Sequence, residues 1–172
     1  MTVYPSELAR RIGRFTEACR RAGVKVTHQR TEIFREVAGS DEHPDAEAVY
    51  EGVRKRVVGL SRDTVYRTLA TLELQGLIRR AEAYTGSSRY DANTERHHHF
   101  VCVKCGRIQD FTSGALNKLR IPKSVAALGT VESAHVQVRG VCAACGRLRH
   151  RRLPTNTGTV SKGNRNAIGG NA

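Results

Sequence analysis

The first eighty residues carry apolar side chains at three- and four-residue intervals, which is the spacing of amphipathic helices. Four such stretches follow one another, and residues that favour helix starts or ends stand at their limits. We expect helices over residues 6–22, 27–39, 45–57 and 61–75. Ser6, Thr27, Asp45 and Ser61 are the expected N-caps, because a short polar side chain accepts a hydrogen bond from a backbone N–H of the first turn.

The fourth expected helix has two different faces. Val65, Leu69 and Leu72 form an inward stripe, whereas Tyr66 and Arg67 point outward. A short turn joins this helix to the third one, and that pairing is typical of a helix-turn-helix whose second helix reads DNA. An ordinary helical hairpin with a solvated, charged face is the alternative interpretation.

Charge favours the DNA-binding interpretation. The net charge is +13, from 29 Lys and Arg against 16 Asp and Glu, which suits a polyanionic partner. Charge alone would fit RNA, DNA or acidic lipid equally well. Residues 77–84 and 89–91 predict two short strands around a Gly/Ser turn, and a hairpin directly after a reading helix is a wing. The candidate DNA-contacting residues are Arg62, Thr64, Tyr66, Arg67, Arg79, Arg80 and Arg89.

Two C-x-x-C pairs give the strongest chemical indication in the sequence. Cys102 and Cys105 form one pair, Cys142 and Cys145 form the other, and a glycine follows each pair. Four thiolates suit a tetrahedral structural zinc ion, and the glycine suits a tight turn with positive φ. The alternative is two chance pairs of buried thiols. No signal region and no membrane-length apolar stretch precede them, so we expect a cytoplasmic protein whose thiols stay reduced and bind one Zn(II) per chain.

Three consecutive histidines precede the first cysteine pair. If residues 97–103 form a strand, His97 and His99 share one face, while His98 points to the other with Cys102. His97 and His99 are then available to a second metal ion, since imidazole suits iron, zinc, copper or nickel. A solvated strand end or loop is the alternative for a polar histidine run.

The rest of the chain predicts a small α/β unit after a short hinge at residues 92–96. We expect a return strand over 107–111, a helix within 113–128 that is interrupted near Pro122, and a strand over 131–141. The long segment between Cys105 and Cys142 excludes a compact zinc ribbon, so the metal should tie together the ends of this unit. We therefore expect an α+β protein with a winged helix-turn-helix domain at 1–91, a metal-binding dimerisation domain at 97–153 and a disordered tail at 154–172.

Five ordered motifs resemble the ferric uptake regulator family of metal-dependent repressors. They are H-P-D-A, S-R-D-T-V-Y-R-T-L, G-S-S-R-Y-D, H-H-H-F-V-C-V-K-C-G-R-I-Q-D and G-V-C-A-A-C-G, within residues 7–150. The resemblance implies a homodimer that binds double-stranded operator DNA. It also assigns the four paired cysteines to the structural zinc. The residues matching the family's regulatory site, which would hold Fe(II) or Mn(II), are His43, Asp91, His97, His99 and Asp110.

The features that distinguish family branches point in different directions. Asp110 resembles the peroxide-sensing branch, because iron-responsive members commonly have glutamate there. The pair Tyr66 and Arg67 resembles the iron-responsive branch. We expect a repressor of peroxide-stress or iron-homeostasis genes, with an iron- or zinc-responsive regulator without peroxide sensing as the alternative. A non-haem metal enzyme using His97, His99 and Asp110 is remote, since the sequence has no H-E-x-x-H motif and no phosphate-binding glycine loop.

Overall fold

Four helices begin the chain and pack around one apolar core. The computed structural model describes residues 3–81, 86–131 and 134–150. Helices α1 to α4 span Pro5–Arg21, His28–Ala38, Ala46–Val53 and Arg62–Leu74. Phe15 of α1 stacks on Phe34 of α2 with ring centroids 4.7 Å apart. The stripe predicted for α4 is confirmed, because Val65, Leu69 and Leu72 are buried in this core.

Three of the four expected caps are confirmed. The side chains of Thr27, Asp45 and Ser61 each accept a hydrogen bond from a backbone N–H in the first turn of the following helix. The cap at Ser6 is wrong, because α1 begins at Pro5 without a side-chain cap hydrogen bond. Proline starts a helix without such a cap, since it has no N–H to satisfy and its φ is already helical.

The third helix is shorter than its apolar pattern predicts. It ends at Val53, whereas the pattern continues to Val57. Val57 is nevertheless buried in the helical core, and its N–H donates to the Val53 carbonyl at 3.0 Å in the turn that follows the helix. Burial therefore persists for one turn beyond the regular helix.

A two-stranded hairpin follows α4, as the sequence predicts for a wing. Strands β1 (Arg79–Ala81) and β2 (Arg89–Asp91) pair antiparallel, and the part of the expected hairpin at 82–85 lies outside the described residues. β2 also contacts the loop that precedes α3. The Tyr90 N–H donates to the Pro44 carbonyl at 3.0 Å, so this loop lies beside the end of β2.

A small mixed sheet forms the second half. Strands β3 (His98–Cys102), β4 (Ile108–Phe111) and β5 (Gln137–Gly140) lie in the order β4-β3-β5, with β4 antiparallel and β5 parallel to β3. The crossover to β5 contains α5 (Gly114–Asn117) and α6 (Lys123–Ala126), and α7 (Ala143–His150) follows β5. The break near Pro122 is confirmed, whereas the strand expected over 131–141 is shorter than predicted.

The apolar core of the second half is small. Val101 and Ile108 of its sheet form a small buried cluster with Ala81 of β1, against a much larger cluster in the helical half. A unit with so thin a core needs another stabilising element, such as a bound metal or a partner subunit. The α+β class and the winged helix are confirmed. The domain limits and the hinge at 92–96 stay predictions, and the tail at 154–172 lies outside the described residues.

Candidate metal centres and nucleic-acid interface

The four paired cysteines meet at one point. Their Sγ atoms all lie within 4.8 Å of one another. Cys102 ends β3 and Cys105 follows in the next turn, while Cys142 and Cys145 lie after β5. The parallel pairing of β3 with β5, in which Cys102 stands opposite Gly140, brings the two pairs together. This is the arrangement of a four-thiolate zinc site.

The two cysteine pairs differ in local backbone. Gly106 has φ +70°, as expected for the tight turn after Cys105. The same expectation is wrong for Gly146, which lies inside α7 and has no positive φ. The second pair instead occupies the start of a helix, where the Gly146 N–H donates to the Cys142 carbonyl at 2.9 Å.

Backbone hydrogen bonds prepare the cysteines for metal binding. The Cys142 N–H lies 3.3 Å from Sγ of Cys102. Hydrogen bonds from the backbone of Cys142 and Cys105 lower the pKa of Cys102 to about 6. The neighbouring cysteine sulfurs, first that of Cys142, raise the pKa of Cys145 to about 12. One thiolate therefore forms readily, whereas placing a full negative charge on all four sulfurs requires a cation between them.

A second cluster combines histidines and carboxylates from both halves of the chain. His43 comes from the loop before α3, Asp91 ends β2, and His97 and His99 lie at the start of β3. Ligand atoms of these four residues lie within 4.8 Å of one another. Asp110 on β4 stands opposite His99, and its Oδ1 lies 2.9 Å from Nε2 of His43. All five residues that the resemblance assigns to a regulatory site thus lie together.

The ring orientation of His97 fits a metal ligand. Its Nδ1 lies 2.8 Å from the Glu95 carbonyl, which can only accept, so Nδ1 carries the hydrogen. Nε2 of a neutral His97 is then a free lone pair. It faces Nε2 of His99 at 2.8 Å and Oδ2 of Asp91 at 3.0 Å. Lone pairs that converge on one point in this way suit a cation, and the Glu95 carbonyl fixes the tautomer.

The charges of this cluster are set by its burial and hydrogen bonds. Asp91 is 7% exposed. Burial raises the pKa of its carboxyl, but the hydrogen bonds from His97 and His99 outweigh burial and hold that pKa well below its usual range. The hydrogen bond to Asp91 in turn raises the pKa of His97. Without a metal, the Asp91 carboxylate therefore favours a proton on His97, at the position where a cation would otherwise lie.

The loop residue His43 is held in an unusual conformation. It is 2% exposed, and it has φ +51°. A non-glycine residue in the left-handed region costs roughly 1–2 kcal/mol, so the surrounding contacts must stabilise it. Such residues cluster at functional sites. Sequence reasoning reached His43 by resemblance alone, because a histidine before a proline gives no local indication of this backbone.

The face argument for the histidine run is confirmed. His98 points away from the cluster, and its Nδ1 accepts the Val136 N–H at 3.2 Å. It is fully buried and tilts against Phe111, with ring centroids 5.5 Å apart. His98 therefore helps to pack the sheet, while His97 and His99 contribute to the other face.

The outward face of α4 carries two exposed side chains. Tyr66 is 53% exposed. Arg67 is 81% exposed and forms only a long contact with Asp63 at 3.7 Å. Thr64 lies in the first turn, where its hydroxyl is 2.9 Å from that of Ser61. Arg62 contacts Glu47 at 2.6 Å and covers the Tyr50 ring, so its guanidinium is already engaged.

The three arginines of the hairpin have different surroundings. Arg79 is exposed. Arg80 pairs with Glu73 of α4 at 2.9 Å. Arg89 turns inward, where its guanidinium donates to the carbonyls of His43 and Glu42. DNA contact by each of them stays a prediction.

Two residues near these sites were not predicted from the sequence. Arg30, at the start of α2, shares a surface depression of about 180 Å³ with Thr64, Arg67, Thr68 and Thr71. In the sequence, the indication for Arg30 is a basic residue close to the Thr27 cap. Glu95 orients His97 through its carbonyl, and a backbone acceptor leaves no trace in the sequence. Within the described ranges, no helix has the length and apolar character to cross a membrane.

Comparison with known proteins gives one consistent result. The model of the ferric uptake regulator family matches residues 21–140. The peroxide-responsive repressor PerR of Staphylococcus epidermidis is 32% identical over 126 residues, covering 73% of this chain and 84% of that protein. The solved peroxide stress regulator of Campylobacter jejuni is 26% identical with a TM-score of 0.60, covering 78% of this chain and 98% of that one. The Helicobacter pylori ferric uptake regulator Fur has a TM-score of 0.64 at 23% identity, over 81% of this chain and 93% of that one, and shares the fold.

Proposed function

Because this chain belongs to the ferric uptake regulator family, we propose that it is a metal-dependent DNA-binding repressor of transcription. One observation carries the proposal. Potential ligands from both halves converge, with His43 of the helical half 2.9 Å from Asp110 of the sheet half. A cation bound there would link the DNA-reading half to the rest of the molecule.

The two clusters suit different metals. The four cysteines provide soft thiolates, which favour a structural Zn(II). The second cluster has three imidazoles and two carboxylates without a thiolate, and this set suits Fe(II) or Mn(II). We propose Cys102, Cys105, Cys142 and Cys145 as zinc ligands, and His43, Asp91, His97, His99 and Asp110 as regulatory ligands.

Metal binding would act on DNA affinity by selecting one arrangement of the two halves. An ion shifts such an equilibrium only by as much as it prefers one state. Ligands at His43 and Asp110 are both satisfied only when the halves stay together, so the ion favours that closed arrangement. The closed arrangement is the one proposed to bind operator DNA.

A homodimer is proposed to present two copies of α4 to the duplex. Several large apolar side chains of the second half are exposed, including Leu119 at 52% and Leu128 at 87%. β5 lies at an edge of its sheet and adds exposed Val138. A second copy of the chain would cover such surfaces, and a two-fold dimer predicts two operator half-sites.

Metal-dependent DNA binding tests the proposal directly. A duplex selected from a random library with Mn(II) present should bind the protein with Mn(II) and lose it with a chelator that leaves zinc in place. His99→Ala should abolish the Mn(II) dependence, whereas His28→Ala, which removes an exposed histidine at the start of α2 outside both ligand sets, should retain it. DNA affinity that is unchanged by Mn(II), by the chelator and by the His99→Ala substitution would contradict the metal-gated function.

Peroxide is the proposed signal for this regulator. Two features support it: the carboxylate on β4 is an aspartate, and relatives such as the Staphylococcus epidermidis protein are peroxide-responsive repressors. Fe(II) held by these ligands would supply an electron for the reductive cleavage of hydrogen peroxide, and Mn(II) would not. Peroxide should therefore release the iron-loaded protein from DNA and leave the manganese-loaded protein bound. Iron or zinc sensing without a peroxide response is the alternative that the opposite result would favour.

A metal enzyme is the remote alternative. Two histidines and a carboxylate are a common set for non-haem iron enzymes. Here five potential ligands surround one point, which leaves little room for a substrate on the metal. Measurable turnover without DNA binding would favour the enzyme; metal-dependent DNA binding without turnover favours the regulator.

A further inference from the structure

Arg89 holds the loop that carries His43. Its Nη2 donates to the Glu42 carbonyl at 3.1 Å, and its Nε donates to the carbonyl of His43 itself. Both nitrogens belong to one planar guanidinium, so the two hydrogen bonds fix two successive peptide units together. The side chain therefore acts on the backbone that sets the direction of the His43 imidazole.

Backbone contacts attach the same loop to β2. The Tyr90 N–H donates to the Pro44 carbonyl at 3.0 Å, and Asp45 forms an isolated bridge with Arg89. The next residue along β2 is Asp91, which lies in the His/Asp cluster. Strand β2 thus carries Asp91 itself and also holds the loop that carries His43.

The conformation of His43 explains why such support is needed. At φ +51° the residue would relax to an ordinary backbone if its neighbours allowed it. Relaxation would rotate the imidazole away from Asp110, to which its Nε2 now lies at 2.9 Å. Two donors on the carbonyls at 42 and 43 oppose that movement.

We propose that Arg89 is a positioning residue for the regulatory metal ion, which holds His43 in the direction required for binding. The inference rests on the proposed function, because it assumes that the His/Asp cluster binds a cation. The sequence-based prediction that Arg89 contacts phosphate would compete with this role. Two donor nitrogens of Arg89 are already engaged, whereas Arg79 on the same hairpin is exposed and is better placed for DNA.

Mn(II) titration without DNA tests this role. Arg89→Ala should weaken Mn(II) binding about 10- to 100-fold, the usual effect of removing a group that orients a ligand. Arg89→Lys should give a smaller loss, because lysine keeps a charged donor. Some loss is still expected, since an ammonium lacks the planar fork that reaches both carbonyls. Arg54→Ala is the matched control, because its exposed guanidinium pairs with Glu51 at 2.7 Å, away from the cluster, and it should leave Mn(II) affinity unchanged. Zinc content should stay at one per chain in every variant.

A double-mutant cycle separates positioning from a general structural role. In a His43→Ala background, Arg89→Ala should change the remaining Mn(II) affinity by no more than about twofold, because its effect passes through His43. An equal loss of Mn(II) affinity in both backgrounds would overturn the inference. It would also be overturned if Arg89→Ala weakened DNA binding but left Mn(II) affinity unchanged. If Arg89→Ala does not fold, Arg89→Lys carries the same cycle. A wild-type protein that binds neither Mn(II) nor Fe(II) would instead overturn the proposed function.

Discussion

The imidazole of His97 lies between two acceptors, the Glu95 carbonyl on one ring nitrogen and the Asp91 carboxylate on the other. That environment raises the pKa of His97, chiefly through its hydrogen bond with Asp91. A metal ion that binds Nε2 must displace the proton held there. Protonation and metal binding are therefore competing events at the same atom.

Mn(II) affinity should fall as the pH decreases, and the fall should begin above the ordinary histidine pKa of 6.5. Below the raised pKa of His97, one displaced proton weakens apparent binding about tenfold per pH unit. Calorimetric titrations from pH 6 to pH 8, in buffers with different ionisation enthalpies, give both the affinity and the protons released. Affinity that stays constant across this range would contradict proton competition.

The metal-free protein should show the opposite pH trend in stability. His97 has a raised folded pKa, so its contribution is fully present below the unfolded value of 6.5 and is lost as the pH rises through the folded value. The pKa of Asp91 is depressed, so its contribution is present above 3.8 and is lost only as the pH falls through its lower folded value. Together they stabilise the metal-free cluster most in mildly acidic solution, where Mn(II) binds least.

Among the elements, the features that depend on neighbouring residues were the ones that the sequence predicted correctly. Thr27, Asp45 and Ser61 cap their helices because the capping hydrogen bond needs only the next three residues. The helix after Cys142 was missed, since a knuckle cysteine pair suggested a turn and the short apolar pattern that follows is weak. The contact of Arg89 with the His43 loop joins residues far apart in sequence, and no local sequence pattern predicts it.

α4 is the element on which DNA recognition should depend. Arg67 is solvent-exposed, and its contact with Asp63 is a surface ion pair of small energetic value, so it can move to a base edge or a phosphate. If Arg67 reads a guanine, Arg67→Ala should cost about 1–3 kcal/mol and relax specificity at one position. If it contacts phosphate, affinity should fall uniformly and the salt dependence should become shallower. Quantitative gel shifts over a series of operator variants and salt concentrations distinguish the two.

A matched arginine outside α4 controls for lost charge. Arg54 is exposed, pairs with Glu51 at 2.7 Å and lies after α3, so Arg54→Ala should leave operator affinity nearly unchanged. Tyr66→Ala should weaken binding as well, because the exposed ring is proposed to pack against a thymine methyl. Unchanged binding in both Tyr66→Ala and Arg67→Ala would exclude α4 as the reading element.

The sheet half should depend on zinc for its fold. It contributes Val101 and Ile108 to a three-residue buried apolar cluster with Ala81 of β1, so the cysteine site that links the ends of β3 and β5 should supply much of its stability. Cys102→Ser or Cys142→Ser should lose zinc and dimerisation together, given that structural zinc contributes roughly 10–16 kcal/mol in small zinc peptides. Metal analysis and sedimentation measure the two. Cys19→Ala removes a buried thiol of the helical core and should keep both zinc and the dimer; a folded, zinc-free dimer of Cys102→Ser would refute the structural role.

Across the whole molecule, the contacts between the helical half and the segments that follow it differ in burial, as two of them illustrate. Arg10 of α1 pairs with Glu95 at 2.8 Å, but both side chains are more than half exposed, so the pair adds little. His43 meets Asp110 at the His/Asp cluster, where the His43 side chain is only 2% exposed and the lower local dielectric strengthens electrostatic contacts. A chemical change at a cluster histidine should therefore separate the halves, whereas loss of the Arg10 pair should not.

Oxidation of a cluster histidine is the expected consequence of peroxide. In the iron-loaded protein, one equivalent of hydrogen peroxide should add one oxygen, about 16 Da, to peptides that contain His43 or His97. An oxidised imidazole binds metal poorly, so the ion is lost, the halves are no longer held together and DNA is released. Mass spectrometry before and after peroxide measures the mass gain, and the manganese-loaded protein is the control in which it should be absent. Unmodified histidines with DNA still bound after peroxide would exclude peroxide sensing and leave a regulator that responds to Fe(II) itself.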